Sequence, residues 1–157
     1  DRFMLKLLVP YSSRGELAEI LDRTTATAAP RAAPTIDAAR ILAARALVRR
    51  TVAAPQVKDY AIRLVLATHP GGEFAVDLAT RFVRFGSSPR GVQAAMLSAK
   101  VRALLDGRYH ASFDDVAASL PASLRHRILL NFEGQAEGVG PDAIIADILA
   151  RVPRTAE

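Results

Sequence analysis

The chain has no cysteine and no tryptophan. The first absence removes disulfides and every cysteine-based zinc site. Aromatic residues are few, three tyrosines and six phenylalanines in 157 residues, so a face built to stack bases is not expected. Lysine is scarce as well: Lys6, Lys58 and Lys100 stand among 21 basic residues, and the rest are arginines. Long apolar runs are missing. Arginines interrupt them, as in Ile41-Leu42-Ala43-Ala44-Arg45, which excludes a transmembrane helix and argues against a membrane partner. The N-terminus carries no secretory pattern. Two further absences concern nucleotide chemistry. No Gly-x-x-x-x-Gly-Lys-Ser/Thr phosphate loop occurs, and no hydrophobic strand ends in paired acids that could hold magnesium. These residues alone cannot assemble an ATPase site.

What is present suits one globular helical domain. Half of the residues are hydrophobic, enough for a real core. The net charge of +5 admits a nucleic-acid partner. The arginines are spread along the chain, however, and no RNP-like or zinc-finger pattern accompanies them, so direct nucleic-acid binding is disfavoured. Residues 3–9 form a short apolar run that reads as a buried strand. Residues 13–23 read as a helix, and 24–34 as a linker rich in Ala, Thr and Pro. Thr35 or Asp37 caps a second helix to about Val48. Pro55 opens a third, stopped by His69-Pro70-Gly71-Gly72. Phe82, Val83 and Phe85 look like buried anchors, with a helical turn near 77–81. Ser112-Phe113-Asp114-Asp115 resembles a capping box that starts a short helix to about Leu120. Pro121 is expected to start another to about Leu130, Gly134, Gly138 and Gly140 to mark a loop, and Pro141 to open the last helix.

The most informative stretch is Gly86-Ser87-Ser88-Pro89-Arg90-Gly91. Ser87 or Ser88 can cap a helix, and Pro89 suits its first position. Arg90 then falls in the first turn, at the positive end of the helix dipole, where Asp or Glu would be favoured by ~0.3–1 kcal/mol. A cation there points either to a bound anion or to a surface arginine tethered to a neighbouring carbonyl. Ala94, Leu97, Val101 and Leu104 follow at helical spacing, so Arg90 is expected at the outer end of the core-facing stripe, away from the solvated Gln93, Lys100 and Arg102. Arg125-His126-Arg127 reads as solvated or salt-bridged. His126 has no second ligand at metal spacing, so no metal site is expected. Asp114 and Asp115 suit a helix dipole better than acid–base catalysis.

Gly-Ser-Ser-Pro-Arg-Gly opening an alanine-rich helix resembles the sensor-2 motif of MoxR-type AAA+ ATPases. Other segments agree in order: Asp1-Arg2-Phe3 before the apolar run Met4–Val9, then Val57-Lys58-Asp59-Tyr60-Ala61, Ala103–Arg108, Leu124–Ile128 and Glu137-Gly138-Val139. One departure is Pro10-Tyr11-Ser12-Ser13, where the family more often reads Tyr-Pro and then several acids. The resemblance implies a mainly α fold, an AAA+ lid-type helical bundle preceded by one short β-strand left over from the nucleotide-binding core. Residues 1–11 would close that core and 12–157 would form the lid. The chain would then be a piece of a longer protein that opens mid-motif.

By the same resemblance Arg2 is the arginine-finger candidate. Arg90, with Pro89 beside it, is the sensor-2 candidate that contacts nucleotide. The implied cofactors are ATP and Mg2+ in the full-length protein, with none bound by this chain alone. The implied partners are other subunits of a ring, a hexamer in this family, and a von Willebrand factor A-domain protein. The work would be chaperone-like remodelling in the cytoplasm. The lid of a magnesium chelatase or helicase relative, and a non-enzymatic basic helical module, are the alternatives.

Overall fold

The computed structural model describes residues 2–27 and 31–155. It is mainly α: α1 (Arg14–Thr25), α2 (Ala38–Arg50), β1 (Val52–Ala53), α3 (Pro55–Leu66), α4 (Asp77–Phe82), β2 (Val83–Phe85), α5 (Pro89–Leu105), β3 (His110–Ala111), α6 (Phe113–Leu124), β4 (Leu129–Leu130), α7 (Phe132–Ala136) and α8 (Pro141–Arg151). Two compact units divide the chain. The smaller runs Leu7–Arg45, and the larger holds Ala46 onward together with Lys6 and the described residues before it.

In the smaller unit Ser13 caps α1. Its hydroxyl accepts the Glu16 N–H, and the Glu16 carboxylate accepts the Ser13 N–H at 2.6 Å. Of the two caps expected for α2, Asp37 takes the role, its carboxylate accepting the Arg40 N–H at 2.7 Å. Three linker residues, Ala28, Ala29 and Pro30, lie outside the described residues.

The larger unit holds the core. Tyr60 and Leu64 of α3, Val116, Leu120 and Leu124 of α6, and Ile144, Ile145 and Ile148 of α8 are buried together. Their i, i+3, i+4 spacing gives each helix one apolar face. The most extensive helix pairing is α5 on α6. The side of α5 that is buried is Gly91, Ala94, Ala95, Ala99 and Ala103, small residues that let backbones approach closely. That stripe is rotated from the expected one: Val101 is exposed, and Arg90 lies outside it.

Two short strand pairs tie the loops. β1 runs parallel to β3, with Val52 opposite His110, and β2 runs antiparallel to β4, with Val83 opposite Leu130. Residues 3–9, read as a strand, have no ladder partner among the described residues. A strand needs a sheet to join. The Lys6 N–H instead meets the Ala122 carbonyl at the end of α6, at 2.8 Å.

Three local expectations are corrected. Pro121 does not open a new helix but lies inside α6. It costs the helix one internal hydrogen bond, roughly 3 kcal/mol in a helix interior. Burying Val116, Leu120 and Leu124 along the face offsets this at about 1.5–3 kcal/mol each. The Gly134 region is helical in α7, because the Asn131 side chain caps it by accepting the Gly134 N–H at 2.9 Å. Phe85 is 57% exposed rather than a buried anchor, because the β2–β4 register shifts between Val83 and Phe85 and breaks the alternation that would put both on one face.

Asp115 fixes the start of α6. It is 3% exposed and accepts bonds from both terminal nitrogens of Arg108 (2.8 Å each), from the Ser112 N–H and from the Ser112 hydroxyl. The Arg108 fork, followed by the Ser112 donors, holds its carboxyl far below the usual aspartate range despite burial. A folded value below the unfolded one means that the stabilisation is complete above the ordinary aspartate pKa of about 4 and is lost as pH falls from there toward the folded value. Asp115→Asn is therefore expected to cost about 1.5–3 kcal/mol at neutral pH. Urea unfolding at pH 7 and pH 3 should show the gap from the parent chain narrowing in acid. An equal gap at both would overturn the assignment.

Candidate functional site: an arginine-lined hollow

The start of α5 is held from below by the end of α3. The Ser87 N–H donates to Thr68 Oγ1 at 2.9 Å, and the Thr68 hydroxyl donates to the Val65 carbonyl at 2.6 Å. His69 Nε2 donates to the Ser87 carbonyl at 2.9 Å. Gly86 makes this contact possible: a Cβ there would stand 2.6 Å from the Thr68 carbonyl oxygen. Gly91 does the same against α6, since a Cβ would meet Leu124 Cδ2 at 2.8 Å and Ser87 Oγ at 2.1 Å. The turn that carries Arg90 is thus wedged between α3 and α6, and the N-cap position belongs to Ser88.

A second element reaches the same place. The segment 3–6 lies on the C-terminal end of α6 and is gripped through its backbone. Arg127 donates from Nη2 to the Phe3 carbonyl at 2.7 Å, and from Nη1 to the Ser123 carbonyl at 2.7 Å and the Met4 carbonyl at 3.4 Å. His126 Nε2 donates to the Phe3 carbonyl at 2.9 Å, and Arg125 donates to the Lys6 carbonyl at 3.0 Å. Arg125 also pairs with Asp142 at 3.0 Å. The salt-bridged reading of this triplet therefore holds for Arg125. The solvated reading does not hold for Arg127, which is only 6% exposed. Ser123 lies in the last turn of α6, where carbonyls lack helical partners, and a buried guanidinium supplies donors for them.

The two elements enclose a hollow of about 290 Å³, lined by Arg2, Met4, Arg90, Gln93, Ala94, Leu97 and Arg127. Arg2 and Arg90, picked out separately in the sequence, therefore line one hollow, and Arg127 lines it with them. Burial, and secondarily the charge of Arg90, push the Arg127 guanidinium below its ordinary value. Guanidinium remains charged even so. Guanidinium groups carry donors and no acceptor, the chemistry that suits phosphate oxygens rather than a metal ion. Among the described residues no group of three or more His, Asp or Glu could hold a metal.

Not every candidate lies here. Pro89 faces a separate apolar hollow with Ile62, Val65, Leu66, His69, Ser87 and Val92. Gln93 is exposed, as expected, and lines the arginine hollow as well. Asp1, part of the Asp-Arg-Phe motif, lies outside the described residues. Arg127 was missed as a member of the site. Its signal in the sequence was a basic triplet just past Leu124, but burial of one of three adjacent cations depends on where residues 3–6 pass.

Comparison with known proteins finds relatives of this helical unit. Residues 77–148, which include α5, α6 and the 125–127 turn, match the AAA lid domain family. Chaperone MoxR1 of Mycobacterium tuberculosis is 30% identical over 152 residues, 97% of this chain and 40% of that protein. Protein MoxR of Methylorubrum extorquens is 31% identical over 118 residues, 71% of this chain and 34% of its own length. The crystal structure of an inferred ATPase from Cytophaga hutchinsonii superposes with a TM-score of 0.89 at 25% identity, over 99% of this chain and 47% of that one. The helical unit built around α5 and α6 is an AAA lid domain. The chain belongs to the MoxR family of AAA+ ATPases. It spans about two-fifths of the length of the curated relative MoxR1. Among the described residues no helix is long and apolar enough to cross a membrane.

Proposed function

We propose that this chain is the lid and sensor-2 portion of a MoxR-type ATPase, in which the arginine hollow receives the γ-phosphate end of ATP. One observation carries the reading: Arg2 and Arg90, 88 positions apart in sequence, line a single hollow. Residues 1–11 are read as the end of the nucleotide-binding core and 12–157 as the lid. In hydrolysis negative charge spreads over the phosphoryl oxygens, and guanidinium forks already in place stabilise it without reorganisation. Arg2 supplies the finger and Arg90 the sensor. Magnesium, held outside these residues, would neutralise part of the same phosphate charge.

A single hollow takes a single triphosphate end. If Arg2 reaches the nucleotide of a neighbouring subunit, Arg90 reaches that same nucleotide. Loss of the γ-phosphate then removes what the two arginines share and frees the lid to reorient. The protein would act as a ring, a hexamer in this family, on a client such as a von Willebrand factor A-domain protein. The remodelling would be chaperone-like and in the cytoplasm, in keeping with the name of the mycobacterial relative.

The test is turnover of Mg-ATP by the intact protein that carries this chain, alongside the isolated 157 residues. The intact protein is expected to hydrolyse ATP, and the isolated chain to be inactive. An intact protein without turnover, together with steeply salt-dependent DNA affinity in this chain, would replace the reading with a nucleic-acid module.

A further inference from the structure

Arg127 lines the hollow and also grips main chain. Nη2 donates to the Phe3 carbonyl, and Nη1 to the Ser123 and Met4 carbonyls. It therefore bridges the last turn of α6 to the backbone on either side of the Phe3–Met4 peptide, one residue past Arg2. Its neighbours continue the grip, His126 on the Phe3 carbonyl and Arg125 on the Lys6 carbonyl, while the Lys6 N–H meets the Ala122 carbonyl. These contacts to the segment are all to its main chain, while Arg127 Nη1 also lies 2.5 Å from His126 Nε2. They fix the path of the segment whatever side chains it bears.

We infer that Arg127 is a positioning residue: by clamping the backbone of Phe3 and Met4 onto the end of α6, it sets where Arg2 stands opposite Arg90. The inference rests on the nucleotide reading above. Three features carry it. Arg127 is 6% exposed and so has little surface to offer a ligand. A planar fork holds carbonyls on two different elements from separate, fixed nitrogens, whereas a lysine offers its donors from a single point on a flexible stem. Arg2 is itself exposed, so its location follows from its backbone rather than from packing. Displacing a catalytic group by about 1 Å can cost about 10²-fold in rate. A clamp one residue away controls a displacement of that size.

The experiment uses the intact protein with Arg127→Met, Arg127→Lys, Arg2→Ala and the double variant Arg2→Ala/Arg127→Met. Two readouts are taken: kcat and KM for ATP, and amide hydrogen exchange at Lys6 without nucleotide. Arg127→Met should speed Lys6 exchange by about tenfold or more. It should lower kcat by about 10–10²-fold with KM held within about threefold. Arg127→Lys, which keeps the charge, should behave the same way and carries the test if the methionine variant fails to fold. The double variant should be no slower than Arg2→Ala alone, because misplacing an absent side chain costs nothing further. Losses that multiply would make Arg127 act independently of Arg2 and overturn the inference. Unchanged Lys6 exchange would overturn it as well. Turnover indifferent to Arg2→Ala, with Lys6 protection still lost in Arg127→Met, would sink the nucleotide reading and the positioning role, and leave only the backbone clamp.

Discussion

Arg90→Ala in the intact protein is expected to lower the proposed ATP turnover by about 10²–10³-fold, the loss typical of removing one preorganised donor from a developing negative charge. The lid itself should stay folded. Arg90 is exposed and lies outside the buried face of α5, so truncating it opens no cavity. The bonds that hold the turn, from Ser87 to Thr68 and from His69 to Ser87, do not involve its side chain. Arg90→Lys separates charge from geometry. A lysine keeps the charge but presents a point rather than a fork, so partial loss is expected. Steady-state hydrolysis with a parallel thermal unfolding curve checks both. Full turnover in Arg90→Ala would remove the sensor role. A collapsed unfolding transition would show that the residue had been structural.

Much of this site was legible in the residues, and what was not follows from the same physics. The helix start at Pro89 was set by local chemistry, a proline at the first turn after serines, and local chemistry is what a sequence reports best. The capping box at Ser112 and Asp115 was equally local, and the structure forms it. The rotation of α5 was not. Its stripe of Leu97, Val101 and Leu104 looked inward because those residues are larger. The face that is buried is the alanine one, because α6 packs too closely for leucine. Residues 3–9 posed the opposite difficulty, because apolarity suggested a strand and no ladder was available. Pro121 shows how tertiary burial overrides a local breaker, since three fully buried side chains on one face hold the helix through it. The convergence of Arg2, Arg90 and Arg127 depends on where the 3–6 backbone passes over α6, and no spacing rule encodes a contact between residues more than a hundred positions apart.

Arg2→Ala is expected to have the larger effect, about 10³–10⁵-fold in kcat, which is the range for guanidinium fingers in other NTPases. Nucleotide binding should remain largely intact. A finger at Arg2 would act on charge that develops in the transition state, so its loss should lower kcat and kcat/KM together rather than raise KM alone. The decisive form of the experiment mixes subunits. One set carries Arg2→Ala, and the other carries an inactivated phosphate loop with Arg2 intact. Neither set turns over ATP by itself. If Arg2 works across a subunit boundary, a mixed ring places an intact Arg2 beside a competent nucleotide, and turnover returns in proportion to the mixed interfaces. Recovery absent at every ratio, in rings shown to be mixed, would confine Arg2 to its own subunit. The common hollow extends the prediction to Arg90. On the proposed reading the two arginines that line this hollow serve one nucleotide, so Arg90→Ala subunits should be rescued in the same mixing experiment. Rescue of one variant without the other would separate the two arginines and break the single-site reading at its root.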